Sequence, residues 1–254
     1  VGPTFRYLVL TALRDRLFGT LVVLLALIAI LGAFLGDGAV VEAQASRLAF
    51  AGMAVRAVLM LGIILFVTFH VRRTYESREV EMMLSRPISR PGFVLAYYVG
   101  FAGLALLLVP LAAGALFFAG QPPLDGLALW TWTLALEALI VVAVSLFFSL
   151  ILASATAGAL AAIAFYLFGR MVGTILGVLN GAWLDLSTPI NKAAGFAFKL
   201  VSTIMPRLDL FGQTSWLVYG REGGWLDWAA TAQTMIYVPL LLAMAIYDFE
   251  RKQF

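Results

Sequence analysis

The sequence contains no cysteine, which excludes disulfides, thiolate metal sites and cysteine nucleophiles. It contains one histidine, His70, too few for a His-rich metal site or a haem ligated from both sides. His70 stands where the second apolar run ends and reads most simply as a polar residue at a water boundary. No G-x-x-x-x-G-K-[ST] phosphate loop, G-x-S-x-G or H-E-x-x-H motif occurs, so neither ATP binding by that loop nor these hydrolytic chemistries are expected of this chain. Charge is scarce as well: Asp, Glu, Lys and Arg make up 12% of the residues.

What fills the space is apolar. Of 254 residues 63% are hydrophobic, and the mean hydropathy is +0.98. A soluble domain is about 45–50% apolar and about 25% charged. This chain cannot hide so much apolar surface in its own core, so lipid must cover the rest. The net charge of +3 fits the basic bias of membrane loops and calls for no nucleic-acid partner.

A bilayer core takes about 20 apolar residues per helix. Six runs qualify: about 18–36, 50–70, 93–119, 127–153, 157–180 and 229–247. Backbone polar groups in lipid must be satisfied within the segment, so all six are expected as helices. The fold expected is an all-α integral membrane protein, a single transmembrane domain over 1–254. The link at Ser154-Ala155-Thr156 makes the fourth and fifth helices an antiparallel hairpin. Basic residues set the orientation. With the N-terminus inside, the inner side collects Arg6, Arg14, Arg16, Arg72, Arg73, Arg78, Arg86, Arg90, Arg251 and Lys252. The outer side has Arg47, Arg56, Lys192, Lys199, Arg207 and Arg221. Both termini are therefore expected in the cytoplasm, with the chain in the cytoplasmic (inner) membrane. A cleaved signal peptide is the competing reading of the first run, which is too long for an h-region of about 7–15 residues.

Residues 4–17 place Phe5, Leu8, Val9, Ala12, Leu13 and Leu17 on one helical face and Arg6, Thr11, Arg14 and Asp15 on the other. That pattern suits an amphipathic helix lying in the membrane interface, or an extension of the first span. The longest loop, about 181–228 and expected outside, holds an amphipathic stretch from Ile190 to Met205, then Pro206. Trp216, Trp225 and Trp228 follow, and suit an interfacial belt.

One island of charge remains, "VRRTYESREVEMMLSRPISRPGF" at 71–93, with Arg72, Arg73, Glu76, Arg78, Glu79, Glu81, Arg86 and Arg90. Val80, Met83 and Leu84 recur at helical spacing and form a small apolar face. Arg72 with Glu76, and Arg78 with Glu81, are spaced to pair on a helix. Pro87 disfavours helix at Arg86 and stops it. A loop whose charges merely set topology would need only the basic residues. A docking elbow on the cytoplasmic side accounts for the acids, the apolar face and the proline stop together.

The run "ESREVEMMLSRPISR" resembles the cytoplasmic elbow of ABC-2-type transporter permeases, where an acidic residue, a Glu-Leu-Leu-Leu-like run and a Pro-x-Ser-Arg follow the second span. The match falls on Glu76, Glu81, Met82, Met83, Leu84, Pro87, Ser89 and Arg90. An amphipathic N-terminus, six spans, the segment "MPRLDLF" and a Phe-Glu-Arg-Lys-x-Phe ending extend the likeness along the chain. Arg78-Glu79 departs from the Gly-Thr of many members, so the cargo is left open. The resemblance implies the permease subunit of an exporter or lipid-moving ABC transporter, not itself an enzyme. ATP and Mg would be held by a separate nucleotide-binding ATPase subunit, and a second permease copy or paralogue would complete the path. The implied ATPase contact is Glu76, Arg78, Glu79, Val80, Glu81, Met83, Leu84, Arg86, Pro87, Ser89 and Arg90.

Two charges lie inside the fourth and fifth spans. Glu137 and Arg170 stand at matched depth on adjacent antiparallel helices and could meet. They read either as a structural ion pair or as part of a substrate path, because charge inside a membrane is costly enough to need a partner or water. A secondary transporter using this pair, and a membrane scaffold without transport, are the alternatives to the permease. No metal site is expected.

Overall fold

The computed structural model describes residues 16–36, 43–76, 90–180, 195–196, 198, 200, 205–220 and 226–251. The long elements, in chain order, are α1 (Arg16–Gly36), α2 (Ala43–Glu76), α3 (Arg90–Gly120), α4 (Leu124–Ile151) and α5 (Ala155–Asn180). A 3₁₀ turn (Leu208–Leu210) and the short α6 (Ser215–Tyr219) follow, and α7 (Leu226–Arg251) closes the chain. There is no strand among the described residues. Five helices are long and apolar enough to cross a membrane: Gln44–Thr74, Arg90–Gly120, Leu124–Ile151, Ala155–Gly177 and Trp228–Arg251. The first expected span falls on α1, whose described apolar run, Phe18–Ile28, is shorter.

Helices longer than the apolar runs are the rule here. The run at 50–70 becomes a helix of 34 residues, because nothing breaks it between Ala43 and Glu76. Pro110 and Pro239 are tolerated inside α3 and α7, as membrane helices allow when neighbours cover the freed carbonyls. Residues 4–15 of the expected amphipathic stretch lie outside the described residues, as do residues 77–89 of the charged elbow.

The hub is α4, which packs against α2, α3, α5 and α7. Its buried face runs nearly all round, from Leu129 and Trp130 through Glu137 to Leu150, as expected of a helix surrounded by others. Helix α1 lies on α2 and α3, with Leu21 filling the notch left by Gly62. Its other side exposes Val23, Leu24, Leu27, Ile30, Leu31 and Phe34, an apolar face suited to lipid.

The two ends of the bundle are distinct. Gln44 at the start of α2 donates to the Gly120 carbonyl that ends α3, at 3.2 Å, so those termini share one end with the start of α4. At the other end α2 stops at Glu76, α3 starts at Arg90 and α7 finishes. Arg90 Nη1 donates to the Glu250 carbonyl at 2.7 Å, and Phe93 stacks on Phe249 with centroids 5.5 Å apart. Aromatic edges continue inward through Tyr97, Phe101 and Phe66 to Phe18 of α1. His70 belongs to this cluster. It is buried, 5.6 Å from Phe66 and 5.5 Å from Phe101. The reason is that α2 continues past it to Glu76, and rings of α2 and α3 cover the imidazole.

Candidate functional site

The stretch Met205–Gly220 falls in what reads in sequence as an outer loop, yet it is folded into the bundle. Leu208, Leu210, Phe211, Trp216 and Leu217 are all buried. Trp216 therefore does not belong to an interfacial belt; Trp228, which is exposed, can. The segment fits because the helices around it carry glycine where it passes. A Cβ on Gly126 of α4 would overlap the Trp216 carbonyl, and one on Gly169 of α5 would lie 3.1 Å from the Pro206 carbonyl. A Cβ on Gly173 would strike the Asp209 carboxylate, and one on Gly52 of α2 would press on Leu217. Gly212 and Gly220 take positive φ, +51° and +81°, which lets the chain turn on itself twice.

Depth follows from one hydrogen bond. The Gly212 N–H donates to Thr133 Oγ1 at 3.1 Å, and Thr133 lies nine residues into α4, about 14 Å along its axis. Backbone that is neither helix nor closed sheet survives at such depth only inside protein or beside water, because its polar groups need partners. Here two arginines supply them. Arg56 Nη1 donates to the carbonyls of Phe211 (3.1 Å) and Gly212. Arg170 Nη1 donates to Leu208 and, at 3.0 Å, to the same Phe211 carbonyl. At the edge of the segment the Arg207 N–H donates to Gln233 Oε1 of α7 at 2.9 Å, and Arg207 pairs with Asp209 at 2.9 Å.

Glu137 holds the two arginines together. Its Oε2 lies 3.7 Å from Arg56 Nε and its Oε1 lies 3.7 Å from Arg170 Nη1. These are ion-pair rather than hydrogen-bond distances. The Glu137 side chain is fully buried and that of Arg56 is 5% exposed, whereas that of Arg170 is 27% exposed. Tyr166, one turn before Arg170, is buried beside the same carboxylate and the Arg56 guanidinium. Three helices, α2, α4 and α5, thus each contribute one charge to a clamp on the inserted segment.

The structure brings Glu137 and Arg170 together and adds Arg56, which sequence reasoning had counted among the outer loop cations. The signal was present: Arg56 falls inside the apolar run at 50–70. Charge counting by side assigned it to the nearer surface and so passed over it. The inserted segment was missed as well. Its signal was the density of apolar side chains between Leu208 and Leu217, far above that of a solvated loop.

Of the expected elbow contact, Arg78, Glu79, Val80, Glu81, Met83, Leu84, Arg86, Pro87 and Ser89 lie outside the described residues. Glu76 closes α2, and Arg90 opens α3 against the last turn of α7. The described residues hold no group of three His, Cys, Asp or Glu placed to bind a metal. No protein-family model matches this chain, and no curated protein matches it.

Proposed function

We propose that this chain is the transmembrane permease subunit of an ABC-2-type ABC transporter, in which a separate nucleotide-binding ATPase subunit drives export or flipping of the cargo. The observation that carries the reading is the Met205–Gly220 segment, irregular backbone held at depth inside an apolar bundle by three charged side chains. A passive scaffold has no need of charges and interrupted backbone at that depth. Transporters do, because such groups face a path through the membrane.

The resemblance of residues 76–90 supplies the energy source that the chain itself lacks. Helices α2 and α3 reach the end of the bundle that also carries the end of α7, so the elbow joins them there. In this reading that end faces the cytoplasm, α1 is the first of six spans, and two permeases enclose the path. Taking Arg56 out of the outer count moves the basic bias from ten against six to ten against five.

The test is to change Val80 and Leu84 together to Asp. The permease should still insert, while recovery of the ATPase subunit with it should be lost. Normal recovery of the complex would refute the reading. A second reading, a secondary transporter, draws on Glu137 standing between two arginines as a relay. Uptake driven by a proton gradient through the purified chain alone would favour it.

A further inference from the structure

Arg170 makes all its described contacts through one nitrogen. Nη1 serves the Leu208 and Phe211 carbonyls and faces Glu137, while among the described residues Nε and Nη2 have no hydrogen-bond or ion-pair partner. The side chain is 27% exposed, although Arg170 stands ten residues before Asn180, about 15 Å along α5. Among the described residues the clamp also carries unequal charge: Arg56 and Arg170 are two cations against the single carboxylate of Glu137. Asp209 does not make up the difference, since it is matched by Arg207.

Thr174 lies one turn further along α5, on the same side as Arg170. It is exposed. Thr68, Thr74, Thr133 and Thr234 each donate their hydroxyl to the carbonyl four residues back. The Thr174 hydroxyl has no such bond and no other partner among the described residues. A guanidinium edge and a hydroxyl on one helix face, beside an excess positive charge, form a recognition set for an oxyanion. The Nε–Nη2 fork matches two oxygens of one tetrahedral anion, and the hydroxyl can meet a third.

We propose that the open edge of Arg170 and the hydroxyl of Thr174 bind one phosphate-type oxyanion of the molecule this protein moves. Naming that molecule as cargo rests on the permease reading; the binding itself does not. The anion balances the clamp, and the water that carries it in accounts for the partial exposure of Arg170. A lipid head group and a free phosphate share this chemistry, and the measurement separates them.

The test is the thermal unfolding midpoint of the purified chain in neutral detergent. Phosphatidylglycerol is compared with phosphatidylcholine, and inorganic phosphate with chloride at equal ionic strength. A rise with phosphatidylglycerol assigns a lipid head group, and a rise with phosphate assigns a free anion. In either case the rise should vanish in Arg170→Gln and shrink in Arg170→Lys, which keeps the charge but loses the fork. It should also shrink in Thr174→Val, which leaves every charge in place. If Arg170→Gln does not fold, Arg170→Lys and Thr174→Val decide. No rise with either anion, or a rise of equal size in all variants, would overturn the proposal. The assay needs no ATPase, so this outcome and that of the Val80 and Leu84 substitutions fail separately.

Discussion

Glu137→Gln removes the one negative charge that the described residues place between Arg56 and Arg170. The carboxylate is fully buried, with Arg56 and Arg170 each at 3.7 Å. Removing one partner of a buried pair costs about 3–5 kcal/mol, because the remaining charge stays desolvated. For a chain of this size that is a drop in melting temperature of roughly 6–20 °C. The two arginines should not share the loss equally. Arg56 is 5% exposed, whereas Arg170 is 27% exposed. The less buried pair should couple more weakly, so the coupling of Glu137 to Arg170 should be smaller than its coupling to Arg56. Arg56→Gln alone also strips the Gly212 carbonyl of the arginine donor that serves it, adding about 1–3 kcal/mol for an unsatisfied buried group. Two double-mutant cycles in detergent, Glu137 with Arg56 and Glu137 with Arg170, measure both terms. Losses for Glu137 and Arg56 that add within about 0.5 kcal/mol would refute the clamp, since residues in contact do not behave so. A larger coupling to Arg170 than to Arg56 would refute the use of burial to rank them.

Two further predictions test the inserted segment and the orientation. Gly126→Ala should destabilise by about 1–3 kcal/mol, because its Cβ would press on backbone, the Trp216 carbonyl and the Gly220 Cα, while Gly114→Ala, with open space around it, should be neutral or stabilising by up to about 1 kcal/mol. Melting temperatures of the two variants compare them directly, and equal behaviour would mean that Trp216 does not pack on α4. The absence of native cysteine gives a clean background for labelling: cysteines placed at Ser77 or Ser85 should react with an impermeant thiol reagent from the cytoplasmic side alone. Labelling from outside would reverse the orientation.

Composition and run length by themselves determined that this chain is helical and lipid-embedded, and the apolar runs located its long helices to within a few residues at most ends. The cause is local: a backbone in lipid must satisfy its own hydrogen bonds, so an unbroken apolar run of sufficient length has one answer. The pairing of Glu137 with Arg170 was open to counting for the same reason, since residues on hairpin-linked helices keep fixed relative depths. Arg56 could not be read that way. It lies more than eighty residues before Glu137, and only the packing of α2 against α4 and α5 decides that its side chain turns inward. The insertion of Met205–Gly220 is likewise a property of the assembled bundle. Its carbonyls find partners on arginines of two other helices, and its chain passes where glycines of α2, α4 and α5 leave room. Neither condition is visible within the segment, so its own sequence reads as a loop. Tertiary structure alone turns it into the centre of the site, because burying irregular backbone requires donors that only distant residues supply.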